Sequence, residues 1–309
     1  MNQRAISLAT LATMVLLASN ASFVMAAPTL YGHPAVQYAT VTNPFELAFG
    51  PDESLYCGHN TNSAVQIYRI PPGGGAAQLW GSVSPIDPDG IDVSGAYVYA
   101  GGEKNVWQTD LATGVGASWT TWTDFRNIGT LLVDSAGRYG AAGNIMIGNC
   151  RYSYDIEFIS AATREPILQI DSADLYVPRA LLFAQDTLYC LEASETKGIW
   201  AISATGDLSL VDDGGFAWDF NQAMVYDPTD DALLVGDGEL IVRVPRTGGA
   251  AQTVGTGFGE VAGLSFGPDG WLYVADGAND AIWRVLPEPA TLALLAVGGV
   301  GVLLRRRRA

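Results

Sequence analysis

Oxygen-bearing side chains recur along this chain at a spacing that folding could gather into one place. Asn43, Glu46, Asp89, Asn127, Arg179, Asn221 and Glu260 stand just ahead of, or at the start of, six apolar segments repeating roughly every 40–48 residues. Carboxylate and amide oxygens suit a hard cation such as Ca²⁺, which takes about six to eight oxygen ligands. An ion held with one open position can polarise a carbonyl for hydrolysis. Arg179 would add positive charge to the set and oppose the ion. Two readings of these residues therefore stand side by side: a metal-dependent hydrolase with its site at the mouth of a channel, and a polar rim that recognises a ligand without turning it over.

Other chemistries find less support. His33 and His59 are the only histidines and do not form a metalloprotease pair, and no Gly-x-Ser-x-Gly elbow or helix-opening Gly-x-Gly-x-x-Gly is present. Cys57, Cys150 and Cys190 are too few for a disulfide scaffold and lack the close spacing of zinc or redox sites. A Cys150–Cys190 bridge is open if the two lie in adjacent units, and buried free thiols are the competing expectation. The acidic stretches Asp227–Asp231 and Asp276–Asp280 miss the glycine and glutamate spacing of an EF-hand loop and read as solvated turns. Residues 27–286 hold 11 basic and 31 acidic residues, a net charge of −20, with no basic patch. Such a surface disfavours nucleic acid and anionic lipid.

The two ends carry sorting information. Arg4 followed by the apolar run Ile6–Ala18, with small residues at Val24 and Ala26, reads as a secretion signal over residues 1–26, to be removed by a signal peptidase. At the other end Pro287-Glu288-Pro289 precedes the apolar run Ala290–Leu304 and then Arg305, Arg306, Arg307 and Arg308. The apolar run is shorter than the roughly 20 residues that span a bilayer comfortably, and the arginines would stay on the cytoplasmic side. In order, spacing and position, residues 287–309 resemble the PEP-CTERM sorting domain. That resemblance implies a sorting and transmembrane tail, an exosortase-like enzyme as partner, and a cell-surface, outer-envelope or matrix destination reached through the inner membrane.

Between the ends, residues 27–286 form one repetitive body. Phe49-Gly50-Pro51-Asp52 with Leu55-Tyr56 matches Phe266-Gly267-Pro268-Asp269 with Leu272-Tyr273, and four weaker copies begin near Ile91, Leu131, Leu181 and Met224. Each copy has an apolar strand, a Gly, Asp or Pro turn, a second strand ending in small residues, and a third that alternates apolar with polar. Strands in units of this length are the mark of propeller blades, so the expected fold is all-β, a six-bladed β-propeller. The first five units have a fourth strand, starting near Ala77, Ser118, Pro166, Leu208 and Ala251. The sixth stops at Val285. The spare segment Val36–Val41 is expected to supply the missing strand, closing the ring without an open edge. Trp80, Trp107, Trp119, Trp122, Trp200, Trp271 and Trp283 fall in or beside strands, where filling the space between blades competes with a sugar-stacking role.

Residues 266–276, Phe-Gly-Pro-Asp-Gly-Trp-Leu-Tyr-Val-Ala-Asp, with Ile282-Trp283-Arg284-Val285, resemble a repeat of the NHL and gluconolactonase-like six-bladed propellers; residues 45–70 and 222–244 are similar with more drift. The resemblance implies the fold. It also implies that a lactonase of that class would hold a divalent ion with Glu, Asn and Asp ligands at the channel. The expectation is an exported, monomeric propeller acting as a non-enzymatic recognition or structural module of the envelope or matrix. Its partner would be an envelope protein, a polysaccharide or a small molecule. No catalytic residue and no required cofactor are assigned, with Ca²⁺ the one candidate ion and a metal-dependent lactonase the alternative.

Overall fold

The computed structural model describes residues 26–61, 64–83, 90–102, 104–123, 127–150, 156–193, 198–213 and 223–285. Six antiparallel sheets follow one another along the chain. Blade 1 holds Pro44–Phe49, Leu55–Thr61, Ala64–Ile70 and Gln78–Val83, and blade 2 holds Ile91–Ser94, Tyr97–Gly101, Asn105–Asp110 and Gly116–Thr121. Blade 3 holds Ile128–Asp134, Asn144–Asn149, Ile156–Ile159 and Pro166–Ile170, and blade 4 holds Pro178–Ala184, Thr187–Glu192, Gly198–Ile202 and Leu208–Asp212. Met224–Asp227, Ala232–Asp237, Leu240–Pro245 and Gln252–Thr256 form blade 5; Val261–Phe266, Leu272–Asp276 and Ala281–Val285 begin blade 6. The first strand of each blade lies beside the first strand of the next, and that of blade 6 lies beside that of blade 1, which makes a six-bladed ring.

In blade 6, Val36–Thr40 pairs antiparallel with Ala281–Val285, Thr40 opposite Ala281 and Val36 opposite Arg284. Just upstream, Thr29–Leu30 adds to the outer strand of blade 5, and His33–Pro34 folds back on it. The N-terminal segment therefore touches two blades. This outer hairpin has no legible signature, because two-residue strands carry no readable alternation.

The repeated Phe-Gly-Pro-Asp segments have a structural cause. In blade 1, Asp52 accepts the Ser54 amide (3.2 Å), the Tyr56 hydroxyl (3.3 Å) and the Arg69 guanidinium (2.7 Å). In blade 6, Asp269 repeats this with the Trp271 amide (3.1 Å), the Tyr273 hydroxyl (2.9 Å) and Arg284 (3.8 Å). Blade 5 keeps a variant in which Asp231 takes the Tyr226 hydroxyl (2.9 Å) and Arg246 (2.6 Å). A turn aspartate thus ties three strands of its own blade, through a tyrosine on the inner or second strand and an arginine on or just past the third. Glycine is needed ahead of it: a Cβ on Gly267 would lie 2.6 Å from both Asp269 Oδ1 and the Tyr273 ring.

Neighbouring blades also lock at the rim. The turn between the third and fourth strands of blade 2 brings Gly114, at φ +69°, against the outer strand of blade 1, where a Cβ would meet the Trp80 carbonyl oxygen at 2.2 Å. Blade 3 does the same through Arg164, whose guanidinium lies 4.0 Å over the Trp119 ring of blade 2. In blade 1, Gly74 approaches the carbonyl of Tyr38, and Gly75–Ala76 pairs parallel with the strand that Tyr38 occupies. The core lies between blades, in clusters that include all seven tryptophans named above; Trp119 is itself buried and the rest are packed against buried aliphatics. Cys57, Cys150 and Cys190 are buried thiols outside any disulfide, so the Cys150–Cys190 bridge does not form.

One expectation is corrected. Every regular element among the described residues is a β-strand, and none of those residues forms a helix long and apolar enough to cross a membrane. No described residue supports the expected transmembrane helix; residues 287–309, which hold the sorting residues, and residues 1–25 of the signal over 1–26 lie outside the described residues.

Candidate functional site

An innermost strand has one edge that no strand of its own blade can pair, so its N–H groups must find other acceptors or water. Around half of this ring a side chain of the preceding blade supplies them. Glu46 of blade 1 faces the Ile91 amide of blade 2 (3.5 Å), Asp92 of blade 2 accepts from the Val133 amide of blade 3 (2.8 Å), and Thr130 of blade 3 accepts from the Leu181 amide of blade 4 (3.2 Å). These groups act as staples between blades. Glu46 sits at φ +36°, in the left-handed region that non-glycine residues rarely adopt, at an irregularity in the pairing of Phe45–Leu47. Around it, Thr130, Ala180, Ala223 and Gly263 bring the strands close, leaving a waist cavity of about 40 Å³. That is room for about one water.

The mouth where the innermost strands begin is organised by buried acids at the ends of second strands. Asp276, fully buried, accepts the Gly259 and Glu260 amides (3.1 and 3.0 Å), the Asn279 side-chain amide (2.8 Å) and the Trp283 indole N–H (3.0 Å). Glu192 is its counterpart in blade 4, accepting the Tyr176 and Val177 amides at 2.9 and 3.0 Å. Each carboxylate thereby fixes the path of the chain into its blade's first strand. In blade 6 this sets Glu260 beside Asn43: a Cβ on Gly277 would lie 2.9 Å from Glu260 Oε2 and 3.3 Å from Asn43 Oδ1.

Of the seven side chains singled out in the sequence, Asn43 and Glu260 come together in this way. Glu46 lies deeper, at the waist. Asn127 is half-buried and accepts the Cys150 amide through its carbonyl (2.6 Å), and Arg179 is half-buried on the first strand of blade 4. Asp89 and Asn221 lie outside the described residues. Among the described residues no group of three or more His, Cys, Asp or Glu side chains is placed to hold a metal ion. The two acidic stretches are also engaged: Asp230 and Asp231 pair with Arg243 and Arg246, and Asp280 accepts the Asn43 amide at 2.8 Å.

Sequence reasoning did not point to the opposite mouth. There a cavity of about 670 Å³ opens between the far ends of the first strands of blades 2 to 6. Its wall mixes Leu132, Phe183, Tyr226 and Phe266 with Asp92 and Asp227. Burial pushes the Asp92 carboxyl up to about 6 from an ordinary 3.8, against the lowering effect of the Val133 and Val93 amides. A raised carboxyl favours the folded state fully below the unfolded value, and that contribution is lost as pH climbs through the folded value. The stability of the wild type relative to Asp92→Asn should therefore fall by about 3 kcal/mol in all, about 2 kcal/mol of it between pH 4 and pH 6, and level off above about pH 7. Urea unfolding at pH steps from 3.5 to 7.5 checks this; parallel curves for the two proteins would refute it.

Comparison with known proteins adds three findings. Residues 285–308 match the PEP-CTERM protein-sorting motif. The motif implies an exosortase-type sorting system and supports export with sorting to the cell surface. No curated protein sequence matches the chain. Among solved structures, the chain is similar to a streptogramin B lyase (13% identity, 81% of this chain and 96% of that one, TM-score 0.59). It is also similar to an auxiliary nutrient binding protein from Bacteroides thetaiotaomicron VPI-5482 (11%, 84% and 71%, 0.60) and to the carbohydrate-active enzyme of family AA12 from Trichoderma reesei (12%, 86% and 98%, 0.61). Identities this low carry the fold alone.

Proposed function

We propose that this chain is an exported propeller that recognises a component of the bacterial envelope or matrix without turning it over, and that its sorting tail concentrates it at the surface. The observation that carries this reading is the engagement of the channel acids. Glu46 and Asp92 face N–H groups of neighbouring blades, and Asp276 and Glu192 hold the chain at the entry mouth. A catalytic ion needs carboxylates that converge on one point, whereas these diverge onto the main chain. The strand Val36–Thr40 is, on the same reading, the seam that closes the ring, and its pairing with Ala281–Val285 supports that role. The likeness of residues 266–276 to NHL repeats supports a body of that architecture, in three parts: a signal over 1–26, the propeller over 27–286 and the tail over 287–309.

The alternative, a divalent-metal lactonase, is tested on the exported protein purified from a host with the sorting enzyme. Calcium at 100 times the dissociation constant of a real site would stabilise the fold by about 2.7 kcal/mol, a rise of roughly 5–10 °C in Tm for a body this large. The expected result is no rise in millimolar calcium, with an intact mass showing loss of Arg305–Arg308. A calcium-dependent rise removed by Glu46→Gln or Glu260→Gln would overturn the non-enzymatic reading. A mass still ending at Ala309 would overturn processing of the tail.

A further inference from the structure

The larger cavity sits at the mouth opposite the one where Asn43 and Glu260 meet, and its wall has a consistent chemistry. Five blades contribute, and aromatic and aliphatic side chains make most of the surface: Phe183, Tyr226, Phe266 and Leu132 among them. Two carboxylates break that surface. Asp92 uses its oxygens on the Val93 and Val133 amides, at 2.7 and 2.8 Å, so its charge is held in place rather than cancelled. Asp227 takes the Thr229 amide on Oδ1 at 2.8 Å, and its second oxygen has no hydrogen bond among the described residues. Arg138, the cationic residue of the wall, lies 5.0 Å over the Phe183 ring and 3.6 Å from the exposed carboxylate of Asp186. The chain's own guanidinium therefore already takes up the arrangement that a cation finds on such a wall, over an aromatic face and next to a carboxylate. Asp186 pairs with it only at the exposed rim, and on the wall itself the two carboxylates of Asp92 and Asp227 outnumber the single guanidinium.

We propose that this cavity binds a small organic cation, an ammonium head group carried on an apolar body. The proposal names a ligand class for the recognition role above and rests on that reading. The aromatic rings would receive both the apolar body and the face of the cation, and Asp227 and Asp92 would supply the opposing charge. A volume of about 670 Å³ falls within the range of small-molecule sites, roughly 300–1,000 Å³. A neutral molecule of the same shape would gain the apolar contact alone. A carboxylate of the same shape would meet like charge.

The test uses 4-phenylbutylammonium chloride, 4-phenylbutanol and sodium 4-phenylbutyrate, titrated calorimetrically into the full chain at pH 7.5. The ammonium should bind at least about tenfold more tightly than the alcohol, and the carboxylate more weakly still. Asp227→Asn keeps an oxygen for the Thr229 amide and should weaken the ammonium at least about fivefold without changing the alcohol. Asp92→Asn should act in the same direction, with its melting curve recorded to separate binding from folding. Equal affinities for the three probes, tighter binding of the alcohol or the carboxylate, no binding of any of them, or an Asp227→Asn protein that binds like the wild type would each overturn the proposal. The calcium experiment reads the other mouth, so the ligand class and the non-enzymatic reading fail separately.

Discussion

A chain lacking residues 27–42 will not melt as a cooperative propeller. The loss is larger than a trimmed terminus suggests, because this segment supplies a whole strand of blade 6 and the outer hairpin of blade 5. It carries the buried side chains Leu30, Tyr38 and Val41 into two different core clusters. Tyr38 alone makes an edge contact with Tyr273, at 4.8 Å between ring centres, and donates to the Pro71 carbonyl at 3.1 Å. At about 1.5–3 kcal/mol for each large side chain removed from water, three such residues represent a large part of the 5–15 kcal/mol that holds a typical domain together. The deletion also leaves Ala281–Val285 as an unpaired edge next to blade 1, where the Gly75–Ala76 bridge has lost its partner. A shorter deletion, residues 27–34, separates the two contributions. It removes Leu30 and the hairpin but keeps Val36–Thr40, and should lower Tm by only about 5–10 °C. Differential scanning calorimetry on the three proteins decides the matter. A chain without residues 27–42 that melts cooperatively within about 5 °C of the full body would show that the ring does not depend on this seam.

Much of the architecture was readable because propeller blades repeat their physics. The two Phe-Gly-Pro-Asp segments marked the period, and the structure shows why they persist: the aspartate joins a tyrosine and an arginine of its blade, and the glycine leaves room for them. The fourth strands start within two residues of expectation: Pro166–Ile170 and Leu208–Asp212 begin where expected, and Gln78–Val83 begins one residue after Ala77. The candidate site was less legible. Glu46 and Asp92 are single acids with no recurring neighbour, and a sequence does not say whether a carboxylate meets water, metal or a main-chain amide of the next blade. Asp276 illustrates the same difficulty. Within Asp276–Asp280 it looks like part of a solvated acidic turn, yet it is fully buried. A signal was present: the second strand ends in an acid in Leu-Tyr-Cys-Leu-Glu192, Leu-Leu-Val-Gly-Asp237 and Leu-Tyr-Val-Ala-Asp276, a position where an exposed turn has no need of one. The larger cavity depends on five blades meeting, and no local pattern encodes that.

Replacing that last acid gives the strongest single-residue effect expected in this protein. Asp276→Ala removes the acceptor of two amides, one side-chain amide and one indole N–H, all of them partly or fully shielded from water. Leaving a buried donor without a partner costs about 1–3 kcal/mol. With some of the donors rescued by water in the space left behind, the sum should be about 3–5 kcal/mol, or roughly 6–20 °C in Tm. Asp276→Asn keeps the shape and one acceptor but turns an NH₂ toward the same donors, so it should recover only part of the loss. Disturbance should also reach the entry mouth. Glu260 reaches its position through its own amide on Asp276 and through its carbonyl, which accepts the Gly277 amide at 2.9 Å. Hydrogen exchange gives the more discriminating readout: in Asp276→Ala the amides of Gly259, Glu260 and Gly277 should exchange far faster, while those of blade 3, across the ring, change only with global stability. Asp134 offers the matched control. It is also a fully buried aspartate, but it accepts the Arg138 and Tyr139 amides of a turn at the opposite end of its blade. Asp134→Ala should destabilise through that turn and leave the protection of Gly259 and Glu260 unchanged relative to the global value. If the two variants gave the same exchange pattern, the acid at position 276 would be a generic core contact and would not be organising the channel entrance.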